Sequence, residues 1–173
     1  MPDTPPSASA PAWTPDPRLR ADCSRCCGLC CVAPAFDAIQ GFGYDKPASK
    51  PCRNLQADFR CGIHAGLAIR GFPGCASFDC YGAGQRVTHD LFGGRSWRSH
   101  PELAPAMFNA YFRYRALHEL MALLELAVRT TTPTDREALL AQLRRIDALC
   151  TSGQALSESV RIPDIRSASL QLL

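Results

Sequence analysis

Five cysteines fall within nine residues, Cys23-Ser-Arg-Cys26-Cys27-Gly-Leu-Cys30-Cys31, and four more follow at Cys52, Cys61, Cys75 and Cys80. Nine of the ten cysteines thus lie between positions 23 and 80. Thiolates are soft ligands, so a thiolate-only set favours Zn2+ or an iron–sulfur cluster over hard cations. Cys23-x2-Cys26 and Cys27-x2-Cys30 are two chelate loops in tandem. A two-residue spacer lets both sulfurs reach one tetrahedral ion at about 2.3 Å each, and iron–sulfur clusters use the same spacing. The adjacent cysteines at Cys26-Cys27 and Cys30-Cys31 point in different directions, which suits two neighbouring centres or thiolates bridging two metals. Downstream, Cys52 and Cys61 are separated by eight residues and Cys75 and Cys80 by four. All nine are candidate metal ligands. Eight would complete two four-thiolate sites with one to spare, and nine could share three metals through bridges. Spacing alone leaves both arrangements open.

Compartment decides between metal and disulfides. Residues 1–20 hold six prolines and neither the apolar core nor the basic start of a signal peptide. No run approaches the roughly 18 apolar residues of a membrane span. The expected location is cytoplasmic, where thiols stay reduced and clustered cysteines serve metal. A disulfide framework or a redox thiol switch is the alternative. The net charge of +3 is modest and the basic residues are scattered, so a nucleic-acid partner is not expected.

Other chemistry-bearing residues read more plainly. His64, three residues after Cys61, is taken as a surface position on a short helix, and Asp58 and Asp79 as solvent or supporting charges. Cys150 shares an apolar helix face with Leu143 and Ile146 and reads as core. His118 falls within a long amphipathic pattern and reads as packed or helix-surface. Gly82-Ala-Gly84 lacks a strong preceding strand and a third glycine, so it is no dinucleotide fingerprint. No nucleophile–base order or carboxylate pair is visible, and no catalytic residue is assigned.

The elements that must position these thiols divide into four stretches. Residues 1–20 are expected to be a disordered or loosely docked Pro-rich tail, with Trp13 its only large aromatic group. Residues 21–98 form the cysteine-rich metal-binding region. Within it, residues 35–51 form a loop touching the core through Phe36, Ile39, Phe42 and Tyr44, residues 52–61 a turn or hairpin, residues 63–70 a short helix, and residues 85–88 a short strand. Residues 99–153 read as a helical hairpin. Its first helix, from about 101 to 129, opens on a Ser99-x-x-Glu102 capping box, with Pro105 kinking it or delaying its regular part. Leu103, Met107, Tyr111, Tyr114, Leu117, Met121, Leu124 and Val128 form one apolar stripe. Phe108, Phe112, Leu120, Leu123 and Ala127 form a second. A Thr134-x-x-Glu137 box opens the next helix, which stops at Ser152-Gly153. Residues 154–173 form a C-terminal segment with one possible short helix. The expected fold is mainly α: an irregular, metal-stabilised, cysteine-rich N-terminal half and a C-terminal antiparallel helical hairpin.

Cys27-Gly-Leu-Cys30-Cys31, Cys52, Cys61-Gly-Ile-His64 and the Cys75/Cys80 pair resemble the YkgJ-type family of zinc- or iron-chelating cysteine-rich domains of bacteria. Arg70-Gly-Phe-Pro73 stands where that family has Arg-Pro, and Cys23 precedes its core motif. The resemblance implies a metal site and no defined reaction. Cys23 and Cys26 lie at the margin of the pattern, so one of them is the expected free thiol. Residues 51–97 and the following hairpin are also similar to the N-terminal region of actinobacterial pentapeptide-repeat proteins. Arg166-Ser-Ala168-Ser-Leu170-Gln-Leu looks like the start of one β-helix coil, and one coil cannot bury a β-helix core. The function these features favour is a metal-binding module with a structural Zn2+ ion or iron–sulfur cluster, whose helices face an unknown protein partner. The alternatives are a redox or oxidative enzyme with a thiolate-bound metal centre, or a metal storage or delivery protein.

Overall fold

The long apolar pattern produces the longest element. In this computed structural model, which describes residues 16–173 (backbone only at 133 and 134), it forms α4, Ala104–Thr130. Pro105 sits in its first turn, where a missing N–H costs nothing. Regular helix therefore starts at Ala104, after a 3-10 turn at Pro101–Leu103. The expected capping box does not form. The Ser99 hydroxyl bonds the Ser96 hydroxyl at 2.8 Å, and Glu102 meets His100 Nδ1 at 3.1 Å. Along the first stripe, Met107 through Val128 are buried. The second stripe divides: Phe108 and Leu120 are buried, whereas Phe112 and Leu123 stay 46% and 38% exposed.

α5, Pro133–Thr151, returns antiparallel against α4. Its N-cap is Thr132, in extended conformation with its hydroxyl donating to Asp135 Oδ2 at 2.9 Å. The helix thus begins before the Thr134 box, because Pro133 is pre-set for the first turn. It ends at Ser152 and Gly153, the latter left-handed at φ 73°. The Tyr114 hydroxyl donates to Cys150 O at 2.7 Å and pins the two helices together.

The chain end is helical as well. α6, Ile162–Leu170, packs on α4, with Ile165 and Ser169 buried one turn apart. Gln142 Nε2 donates to Ser169 Oγ at 3.0 Å, tying α6 to α5. The stretch read as a β-coil start therefore takes helix in this chain. Its i, i+4 buried pair already has a helical face to pack against, and a lone coil would have none.

The N-terminal half contains only short helices: α1, Leu29–Val32; α2, Pro73–Ser77; and α3, Ala83–Arg86, which widens into a looser turn at Val87–Leu91. The strand expected at 85–88 is therefore helical, with Ala83, Arg86 and Val87 inside. The helix expected at 63–70 is a 3-10 turn, His64–Gly66, followed by turns. Residues 52–61 do form a small hairpin, with Leu55 bridged to Cys61 and Gln56 N donating to Arg60 O at 2.8 Å. A second bridge, Phe36 to Lys46, closes the loop that carries the Phe36–Phe42–Tyr44–Phe72 ring cluster. Ile39, expected in that contact, is 96% exposed. No strand longer than such a bridge occurs among the described residues.

One core joins the halves. Leu29, Val32, Ala83 and Val87 meet α4 in the same buried cluster as the hairpin. Residues 16–20, assigned to the tail in the sequence, dock on the helical hairpin, and the rest of that stretch lies outside the described residues. Leu19 is buried, Asp16 N donates to Glu125 Oε1 at 3.2 Å, and Arg18 pairs with Asp147 at 3.0 Å. Trp13 lies outside the described residues. Among those described, no helix is long and apolar enough to cross a membrane.

Candidate functional site

Eight of the nine clustered cysteines line one cavity of about 430 Å3: Cys23, Cys26, Cys30, Cys31, Cys52, Cys61, Cys75 and Cys80. The ninth, Cys27, does not. Gly28, left-handed at φ 72°, turns the chain between it and α1. Cys27 points into the core, 3% exposed, with its sulfur 3.4 Å from Thr88 Oγ1 and 3.5 Å from Met107 Sδ. Its carbonyl accepts from Trp97 Nε1 at 2.8 Å. Cys27 is thus the clustered thiol that lies off the cavity, whereas Cys23, Cys26 and Cys30 line it.

Local structure explains how the other eight converge. Cys23 opens a 3-10 turn, Cys23–Arg25, capped by Asp22. Gln85 on α3 clamps the approach to it: Asp22 N donates to Gln85 Oε1 at 2.9 Å and Gln85 Nε2 donates to Arg20 O at 2.7 Å. Gly84, also on α3, leaves room for sulfur. A Cβ there would lie 2.6 Å from Cys26 Sγ and 3.9 Å from Cys80 Sγ. Cys30 and Cys31 sit side by side on α1, their sulfurs 3.9 Å apart. Cys31 O accepts from Cys52 N at 2.9 Å, which brings the hairpin carrying Cys52 and Cys61 against α1. Cys75 rides on α2, whose Gly74 fits so closely that a Cβ would meet Gln40 O at 2.6 Å.

Burial makes these thiols reluctant to ionise alone. It pushes Cys26 up to about 12 and Cys75 up to about 11, and raises Cys23 and Cys61 as well. Neighbouring thiolates add to the effect on all four. The hydrogen bond between the two α1 thiols separates that pair, holding Cys31 below the ordinary thiol range and Cys30 well above it. Lys46 assists Cys31. The Lys46 ammonium is buried, bound to Pro34 O at 2.6 Å, Lys50 O at 2.7 Å and Pro47 O at 3.1 Å, and lies over the Phe36 ring. A cation placed among the eight sulfurs would supply what ionises the rest.

The remaining candidates fall where the sequence suggested or close to it. His64 borders the cavity from its 3-10 turn. Asp58 is exposed and accepts from Arg60 N, and Asp79 accepts from Tyr81 N at 2.7 Å, so both carboxylates serve turns. Cys150 is buried on α5, its thiol pushed up by burial to about 11. Sequence reasoning missed Lys46 and Gly84. It also missed a buried polar group at the other end of α3. There Arg86 binds Asp147 at 3.1 Å and Thr151 at 2.9 Å, and stands 3.4 Å from His118 Nε2. Among the described residues, no three His, Cys, Asp or Glu side chains stand in a closed ligand arrangement.

Comparison with known proteins adds little to this geometry. No protein-family model matches the chain, and no solved structure matches it. An uncharacterized protein of Bacillus subtilis strain 168, YybG, is 44% identical over 103 residues. The match covers 60% of this chain and spans 37% of the length of that protein.

Proposed function

We propose that this chain binds metal through its clustered thiolates, as Zn2+ or as an iron–sulfur cluster, and that the bound metal fixes the fold of residues 21–98. The observation that carries the reading is the convergence of eight thiols, from stretches far apart in sequence, on one cavity, while the ninth is diverted into the core. A region made of short helices and turns has little core of its own, and ligation supplies folding free energy in such regions. Bound metal would hold the thiolates ionised in a setting where burial otherwise keeps them protonated. Chain segments then do the positioning: Gly84 admits the sulfurs, the Cys31–Cys52 backbone bond sets the hairpin, and Lys46 offsets negative charge. The helical hairpin, which shares one buried core with this half, is the surface offered to a protein partner in a reducing cytoplasm.

Purification without oxygen, elemental analysis and a visible spectrum test the reading. The expected result is a stoichiometric metal content, colourless for zinc and brown for iron–sulfur, with the cavity thiols reacting only after denaturation with chelator. A metal-free protein whose cysteines all react at once would overturn it. A storage or delivery role has one observation in its favour, the exposure of Cys23 at the rim. If that role holds, a competing chelator withdraws metal from the folded protein within minutes and added metal restores it.

A further inference from the structure

We infer that the cavity holds two separate four-thiolate centres, one on Cys23, Cys26, Cys30 and Cys80 and the other on Cys31, Cys52, Cys61 and Cys75. The inference rests on the metal-binding reading above and specifies the ligands of that same site.

Helix geometry supplies the first reason. Successive residues of an α-helix point about 100° apart, so Cys30 and Cys31 on α1 can each turn to a different centre although their sulfurs are neighbours. On the Cys30 side, α3 is the organising element. The Gln85 clamp lays the Cys23–Arg25 turn on α3, and Gly84 is the point that both Cys26 and Cys80 approach. Cys80 lies near Cys23, Cys26 and Cys30, and Cys26 near Cys30, while Cys31 reaches Cys23 and Cys30 across the division. On the Cys31 side, the hairpin is the organising element. Cys52 is bonded through its backbone to Cys31, Cys61 lies across the hairpin bridge, and α2 brings Cys75. Cys31 and Cys52 both act on Cys61, and Cys31, Cys52 and Cys61 all act on Cys75. Lys46 stands on this side alone among the contacts it makes with thiols, near Cys31 and Cys52.

The two sets touch where Cys30 Sγ and Cys31 Sγ stand 3.9 Å apart. Two sulfurs on one tetrahedral ion at about 2.3 Å each would be separated by about 3.8 Å. The rival arrangement built on this contact is therefore a single thiolate-bridged cluster, and the experiment has to separate the two.

The metal content of the full chain, purified without oxygen, is compared with that of paired variants. Cys26→Ser with Cys80→Ser, and Cys52→Ser with Cys61→Ser, are each expected to retain half the wild-type metal. Cys27→Ser is expected to retain all of it. A variant that fails to fold would obscure this result, so the wild type is also exchanged with 113Cd and observed by NMR. The expected spectrum has two tetrathiolate resonances with no cadmium–cadmium coupling. Coupled resonances, a third bound metal, or loss of metal from Cys27→Ser would overturn the two-centre assignment and leave metal binding intact. A wild type that takes up no metal would instead overturn the metal-binding reading and the assignment with it.

Discussion

Lys46 shows at the scale of one residue how this half is held. Its ammonium is buried and is satisfied by carbonyls of Pro34, Pro47 and Lys50, beside two cavity thiols. Lys46→Met would leave those carbonyls without their shared donor and remove the local positive charge. The expected cost is about 3 kcal/mol, read by urea denaturation of the metal-loaded chain. The exposed neighbour Lys50→Met should stay within about 0.5 kcal/mol. His118 supplies a pH-dependent counterpart. It is fully buried, its Nδ1 2.6 Å from Tyr81 O, with Arg86, Asp147 and Arg18 around it. Burial, with some help from Arg86, lowers its pKa to about 4. An unfolded histidine titrates near about 6.5, so the unfolded chain takes the proton first as pH falls. The stabilisation is complete above about 6.5 and fades as pH drops towards about 4; it amounts to about 3 kcal/mol at neutral pH. Denaturation of wild type and His118→Gln across this window should give a difference that shrinks as pH falls, and a constant difference would refute the assignment. The sequence read His118 as packed or helix-surface, and it is packed; Lys46 did not stand out. Lys46 reads there as an ordinary loop lysine, and only the folded loop shows it surrounded by carbonyls. Cys27 was equally opaque, because its diversion depends on the Gly28 turn and on Thr88 and Met107, which are remote in sequence.

At the scale of elements, α3 joins the Cys23–Arg25 turn to α4, and Gly82 is how it begins. Its φ is 75°, and a Cβ there would fall 1.9 Å from Arg18 O. Gly82→Ala therefore combines a left-handed backbone with a clash against the chain that carries Arg18 to Asp147. A loss of at least about 2 kcal/mol is expected from the backbone conformation and the forced shift together, with faster tryptic cleavage after Arg18 and Arg20. Gly93→Ala makes the comparison: φ is 60° but nothing lies near the added methyl, so only the conformational part, about 1 kcal/mol, should appear. Equal losses for the two would mean that the Arg18 contact contributes nothing. The sequence could not show α3. Its few residues carry no full helical period, and Gln85-Arg-Val-Thr88 reads as strand because β-branched residues near a turn favour that assignment. The long helices were legible because 27 residues in one and 19 in the other repeat one periodicity, and local pattern is then enough. Their first residues were not, since Ser99 bonded to Ser96 and Thr132 took the cap ahead of Thr134.

At the scale of the whole molecule, one α-helix belongs to two neighbourhoods. The first turns of α4 pack through Met107, Phe108 and Tyr111 on the cysteine-rich half, and its later turns pack on α5 through residues such as Leu124, Leu139 and Ile146. The hairpin end has apolar packing of its own. The other end is built on short turns around a cavity of thiols, so under the function proposed above its stability would follow bound metal. Trp97 marks the junction: its indole N–H binds Cys27 O at 2.8 Å, and its ring meets Phe59 and Phe108 edge-on at 5.9 and 6.3 Å. Chelation under reducing conditions should therefore expose Trp97 while most of the far-ultraviolet helix signal survives, because most α-helical residues among those described lie in α4 and α5. Trp13→Phe leaves Trp97 as the chain's one tryptophan, so its fluorescence then reports this junction alone. The expected sequence is a red shift at Trp97 on metal removal, then loss of helix only at a higher denaturant concentration. If both signals fall together, the hairpin cannot stand without the metal-bound half. If Trp97 does not respond to chelation at all, the metal does not hold the fold of residues 21–98.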